Sequence, residues 1–225
     1  MGEIEDGAGH GVFITLEGPD GSGKSSLLRR LTVALADAGC DVVATREPGS
    51  TPLGEQMRRL VLDTEPRIDR TGRADALLFA ASRAQHVAEV IVPGLARGAI
   101  VVCDRYADSS MAYQGAGSGV PMDELAAVQR FATGGLVPDL TILLDLPVEA
   151  GLARKSAEVT RFEAYQDLAY HERVRAAFLG FAAAEPQRYV IVDATQDEDG
   201  VLADAIGALA RVADRAQCLG KVSTG

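Results

Sequence analysis

Short, continuous apolar runs alternate along this chain with longer segments of helical spacing. Residues 12–16, 41–45, 99–103, 140–144 and 189–192 have strand length and are rich in Val, Ile and Leu. Runs of this kind without polar alternation read as strands buried on both faces. Between them the spacing predicts helices over 27–38, 52–62, 73–95, 122–132, 148–157, 167–184 and 201–216. The first stops at Gly39, and the second opens with Pro52 in its first turn. A further helical region starts at Ser109 and is expected to break at the flexible Gly115-Ala116-Gly117-Ser118-Gly119. Strands separated by helices predict an α/β fold, with a five-stranded parallel sheet covered by helices on both faces. Right-handed crossovers then carry the loops that follow the strands to the carboxyl edge of the sheet. The polar clusters at 18–25, 46–49, 104–106 and 145 each follow a strand, so they are expected to meet there.

Bulk properties narrow the partners. The 225 residues suit one domain, alone or with a small lid. A formal net charge of −10 makes a poor grip for DNA or RNA, which calls for a basic stripe. No apolar run has the length of a transmembrane helix, so no membrane partner is expected. Residues 1–11 carry acids and glycines without an apolar segment; they read as a disordered extension and not as a signal peptide. Cys40, Cys103 and Cys218 are odd in number, widely spaced and without metal-ligand spacing. A reduced, cytoplasmic setting is the plain reading. His10, His86 and His171 are scattered, which argues against a structural zinc.

The strongest chemical signal directly follows the first strand. Gly18-Pro19-Asp20-Gly21-Ser22-Gly23-Lys24-Ser25 fits G-x-x-x-x-G-K-[ST], the phosphate-cradling loop. Its glycines let successive N–H groups turn inward as an anion nest, and the next helix adds its N-terminal N–H groups. Lys24 would reach the β- and γ-phosphates of ATP, Ser25 would ligate Mg²⁺, and Ser26 is counted with the loop residues that bind ATP.

Three further constellations narrow the reaction. Thr45-Arg46-Glu47-Pro48-Gly49-Ser50-Thr51 holds an arginine on a rigid strand end, suited to fork binding of a second phosphate. An Arg–Glu surface pair is the alternative. In Leu78-Phe79-Ala80-Ala81-Ser82-Arg83, Phe79 and Arg83 share a helix face and could offer a base an aromatic plane and a donor pair. A core Phe beside a solvated Arg is the other possibility. In Asp104-Arg105-Tyr106-x-x-Ser109-x-x-x-Tyr113-Gln114, Asp104 ends a buried strand, where a carboxylate needs a partner or a hydrated cation. Arg105 could contact phosphate; Ser109, Tyr113 and Gln114 could sort a sugar and a base.

Together these runs resemble the thymidylate kinases, P-loop enzymes that move the γ-phosphoryl group of ATP onto dTMP, over residues 12–193. The resemblance implies a P-loop NTPase fold with a small lid. The kinase domain would span residues 12–216, with the lid at about 151–165 and a flexible tail at 217–225. By resemblance Arg46 and Arg105 would hold the dTMP phosphate. Phe79 would stack on thymine, with Arg83 and Gln114 on its edge and Ser109 close by. Tyr113 would crowd the 2′ position, Asp20 would meet the 3′-hydroxyl, and Asp104 would sit near Mg²⁺ and the attacking phosphate. Glu17 matches the pattern and receives no role. The phosphate loop lacks an arginine, so the lid would supply catalytic charge: Arg161 in its Arg-x-Glu context, with Arg154 binding ATP and Lys155 either a further lid cation or a solvated helix charge. The family also implies a homodimer. A deoxynucleoside kinase, a kinase for another nucleoside monophosphate and a P-loop switch ATPase are the alternatives.

Overall fold

A computed structural model describes residues 11–63, 69–154 and 167–222. Five strands form one parallel sheet: β1 (Val12–Glu17), β2 (Val42–Arg46), β3 (Ile100–Asp104), β4 (Leu140–Asp145) and β5 (Tyr189–Asp193). Their spatial order is β2-β3-β1-β4-β5. All six residues of β1 are buried, because β1 lies between β3 and β4 with helices over both faces. At the edge, β2 is only partly covered, in keeping with its mixed composition. Leu16 and Arg46 both lie in register with Asp104, so β1, β2 and β3 end level. The connections that leave β1 and β3 run to opposite sides of the sheet, and between such strands α/β sheets open a crevice beyond the strand ends.

Helix α1 (Lys24–Asp37) packs Leu27, Leu31 and Leu35 onto Val12, Ile14 and Leu16 in the largest core cluster. Helices α2 (Pro52–Leu62) and α3 (Gly72–His86) start at Thr51 and Thr71, whose hydroxyls accept from the backbone N–H groups of Gly54 and Ala74. The 73–95 segment is not one regular helix. α3 passes into a π-helical turn (Val87–Ile91) and then α4 (Val92–Ala96). Pro93 lacks an N–H and its ring crowds the preceding turn, which accounts for the widened spacing.

Helix α5 (Ala107–Ser110) likewise continues into a π-helical segment (Met111–Gly117), so the break expected over 115–119 comes only after Gly117, at Ser118. The glycines serve close packing here. A Cβ on Gly115 would sit 2.4 Å from Met122 Sδ, and one on Gly117 2.6 Å from the Tyr170 ring. Helices α6 (Met122–Thr133), α7 (Val148–Arg154), α8 (Leu168–Ala184) and α9 (Glu198–Ala208) complete the layers. α9 is shorter than the predicted 201–216 helix and is followed by a 3₁₀ turn at Leu209–Val212.

Gly11 and the residues up to Val222 at the other end are held by contacts. The Gly11 N–H already bonds the Leu95 carbonyl. Cys40 and Cys218 form a disulfide, with Cα atoms 5.4 Å apart, which corrects the reading of all three cysteines as reduced. Only Cys103 is free, and it is buried. A sequence separation of 178 residues gave no hint of the pairing, which arises because the C-terminal segment folds back onto the turn between α1 and β2. Leu219 is buried against the main core, so the tail is packed at least that far. Among the described residues no helix is long and apolar enough to cross a membrane.

Candidate active site

The level ends of β1 and β3 bring Glu17 and Asp104 to the carboxyl edge one residue out of register, so that Asp104 faces Ser25 of α1 and Glu17 faces the turn at Tyr106 and Ser109. The phosphate loop leaves β1 at Gly18 and enters α1 at Lys24. Gly18 (φ 140°) and Gly21 (φ 74°) adopt backbone angles that side chains rarely tolerate. A Cβ at either would also strike backbone, 2.3 Å from Leu144 O and 2.0 Å from Gly151 O respectively. Lys24 is buried and curls over the loop. Its Nζ donates to Pro19 O at 2.7 Å, Gly18 O at 3.0 Å and Ser22 Oγ at 3.0 Å. Burial, with Arg105 nearby, lowers its pKa to about 7 against the pull of Asp104, Asp20 and Glu17. A cation held this way is undercompensated and primed for an anionic partner. The Ser25 hydroxyl donates to Asp104 Oδ2 at 2.7 Å, which sets two hard oxygens next to each other beside the loop. This donor pair fits Mg²⁺, which typically takes one or two protein oxygens and fills its shell with phosphate and water.

Arg105 lies across the crevice with φ 72°, a costly angle for a residue with a Cβ. Its Nη1 donates to Gly18 O at 3.2 Å and Ser109 Oγ at 3.1 Å. Its Nη2 donates to Asp20 Oδ1 at 2.7 Å and Tyr113 Oη at 3.2 Å, and the Tyr113 hydroxyl in turn donates to Asp20 Oδ2 at 2.9 Å. Glu17 braces this turn from below. It accepts from Tyr106 N at 2.8 Å, Ser109 N at 3.3 Å and Ser109 Oγ at 2.6 Å. Burial, helped by the Asp108 charge, raises its pKa to about 7, while the bonds from Ser109 and Tyr106 and the Arg105 charge work the other way. Ser109 is therefore engaged between Glu17 and Arg105.

The other end of the crevice is set by α3 and the loop after β2. Arg83 is buried, with 2% of its side chain exposed. Nε donates to Glu47 Oε2 at 2.7 Å, Nη2 to Tyr106 O at 2.9 Å, and Nη1 to Ser110 Oγ at 3.0 Å and to Gln129 Oε1. The solvated Arg considered from sequence is thereby excluded. Phe79 is half-buried, flanks the cluster around Tyr113 and Phe178, and also faces the crevice. Arg46 is half-exposed and its Nη2 donates to Glu55 Oε1 at 3.0 Å. That is an Arg–Glu surface pair, but its partner is Glu55; Glu47, the sequence neighbour, points into the interior.

One cavity of about 350 Å³ joins these parts. Asp20, Gly21, Gly23, Lys24, Ser25, Ser26 and Asp104 line its phosphate end. Arg46, Phe79, Arg83, Arg105, Ser109, Tyr113 and Gln114 line the rest. Gly18 and Ser22 act behind this wall through their bonds to Lys24. Arg154 stands apart: its guanidinium donates to Ala194 O at 2.8 Å, beyond the end of β5. Arg161 and Lys155 lie outside the described residues.

Sequence reasoning missed Glu47, Arg58, His86 and Ser110. Glu47, Arg58 and Ser110 line the cavity. His86 lies behind it, with Nδ1 donating to Glu47 Oε1 at 2.9 Å and Nε2 2.6 Å from Thr45 Oγ1. The available signal was the three-residue spacing of Arg83 and His86, which aims both at one buried carboxylate.

Comparison with known proteins agrees with this geometry. A thymidylate kinase family model matches residues 16–205. A thymidylate kinase of Deinococcus radiodurans is 51% identical over 86% of this chain and 94% of its own length. Those of Pseudomonas putida (48%; 91% and 98%) and Thermomicrobium roseum (50%; 87% and 92%) are similar to the same extent. Near-complete coverage in both directions, on a chain whose family-typical runs converge on one cavity, leads to one conclusion: this chain belongs to the thymidylate kinase family.

Proposed function

We propose that the protein transfers the γ-phosphoryl group of ATP to dTMP, giving dTDP and ADP for DNA synthesis. The observation that carries this reading is the continuity of the cavity. It runs from the anion nest at Lys24 to an arginine and aromatic end at Phe79 and Arg83. ATP phosphates occupy the nest, where Lys24 exchanges loop carbonyls for phosphate oxygens. Ser25 and Asp104 would hold Mg²⁺, which would supply charge neutralisation for the phosphates. Arg105 and Arg46 grip the dTMP phosphate, and Arg46 turns from Glu55 to do so. Phe79 covers the thymine face, with Arg83 and Gln114 at its edge. Tyr113 and Asp20 sit at the sugar; their mutual bond leaves little room for a 2′-hydroxyl and offers Asp20 to the 3′-hydroxyl.

The acceptor phosphate oxygen is already anionic at neutral pH, so in-line attack needs no general base. Catalysis comes from positioning and charge stabilisation. A lid over 151–165, with Arg161 as its principal cation and Arg154 at its root, closes on the donor and excludes water. Two exposed residues seven apart on α2, Leu53 and Leu60, with Leu77 on the neighbouring α3, support a homodimer. A cytoplasmic location is part of the same reading. A nucleoside acceptor is less well served, because its hydroxyl wants a free carboxylate base. It also brings no phosphate for Arg46 and Arg105 to hold.

A coupled assay offering dTMP, dUMP, UMP and thymidine in turn tests the reading. ADP release should be fastest with dTMP. Release no faster with dTMP than without an acceptor would reject it.

A further inference from the structure

Arg83 and Glu47 form a buried pair, with 2% and 3% of their side chains exposed. Such a pair contributes little net stability against its desolvation cost, so its retention calls for another explanation. The geometry around it is specific. Glu47 takes Arg83 Nε on one oxygen and His86 Nδ1 on the other, so it cannot swing. His86 is itself pinned by Thr45. The guanidinium has five N–H groups. Among the described residues, four find partners, on Glu47, Ser110, Gln129 and Tyr106, which leaves one N–H on Nη2. Arg83 nevertheless borders the cavity, so this donor is the one group it can spend on a ligand.

We propose that Glu47 is a positioning residue that fixes the direction of the one unspent Arg83 donor and so sets the choice of pyrimidine. This rests on the reading of the cavity as a dTMP site. A 4-oxo pyrimidine presents an acceptor to that donor, whereas a 4-amino pyrimidine presents another donor. A fixed donor rejects the second because the clash cannot be relieved by rotation; a loosened one turns aside. Glu47 also follows Arg46 directly and leads into the loop through Gly49, whose N–H approaches Ser82 Oγ on α3 at 3.4 Å. The same carboxylate therefore ties the loop carrying the phosphate-binding arginine to the helix carrying the base-binding face.

The test is Glu47→Gln in the full chain, which keeps the shape and removes the charge that anchors Nε. Steady-state kinetics should show KM for dTMP up about tenfold and KM for ATP within about twofold. The preference for dTMP over dCMP, as a ratio of kcat/KM, should fall about tenfold. A merely structural carboxylate would lower the active fraction and leave both ratios intact. Equal changes in the two KM values, or an unchanged dTMP:dCMP ratio, would overturn the proposal. If Glu47→Gln does not fold, His86→Gln frees the second Glu47 oxygen and must shift the dTMP:dCMP ratio the same way, by a smaller factor; no shift would overturn it. Native protein inactive on dTMP would remove this inference together with the proposed function. Native turnover with unaltered variant selectivity would remove the inference alone.

Discussion

The two ends of the cavity are held by contacts of different kinds. At the phosphate end the charged groups are parked. Lys24 rests on loop carbonyls and Ser25 on Asp104, and across the crevice half-exposed Arg46, the phosphate-facing arginine, is parked in the same way on Glu55. Each tie is one that a phosphate or cation can replace. At the base end the ties are permanent: Arg83 spends four of its N–H groups on buried partners in the loop after β2, at both ends of α5 and on α6, none of which a ligand would displace. Arg105 lies between these regimes, partly exposed and strained, with Glu17 as its fixed support. A kinase has to release its donor and keep its selectivity. Exchangeable ties at one end and fixed ties at the other meet both needs in one crevice.

Substitutions can break this contrast. The largest effect is expected for Lys24→Ala, with turnover lower by about a thousandfold or more because a principal phosphate contact is lost. Its thermal unfolding should stay near native, since Lys24 ties only to its own loop. Arg83→Met should do the reverse to stability. It strands the Glu47 carboxylate in the interior and should cost about 3 kcal/mol in denaturant unfolding. Arg46→Ala should change stability by no more than about 0.5 kcal/mol, as surface pairs do, while raising KM for dTMP about tenfold. A destabilised Arg46→Ala protein, or an unperturbed Arg83→Met protein, would erase the distinction between the two ends.

The smallest effect sharpens the middle of the site. Glu17 has a folded pKa of about 7 against an ordinary 4.5, so the folded state holds a proton that the unfolded chain releases between those values. The stabilising contribution is full below about pH 4.5 and is lost as pH rises through 7. Glu17→Gln mimics the protonated form. Its melting temperature relative to native should therefore rise between pH 5 and pH 8, and a pH-independent difference would show that Glu17 stays ionised throughout.

Much of this was legible in the sequence because it is local. The phosphate loop, the Arg46 strand end and the Asp104-Arg105 turn each carry their chemistry in contiguous residues, and short apolar runs marked all five strands. What was not legible depends on tertiary distance. Glu47 reads as a surface acid until α3 brings Arg83 and His86 over it. Cys40 and Cys218 read as unrelated thiols until the chain closes on itself. Gly115 and Gly117 read as a flexible break, because nothing nearby in sequence announces Met122 and Tyr170 as the walls that exclude a Cβ.

The most direct test of the account is product stoichiometry with the native protein, ATP, Mg²⁺ and dTMP, followed by chromatographic separation of all four nucleotides. The account predicts dTDP and ADP appearing one for one, with ADP formation falling to background when dTMP is left out. ADP that accumulates without dTDP, or at the same rate without dTMP, would contradict it.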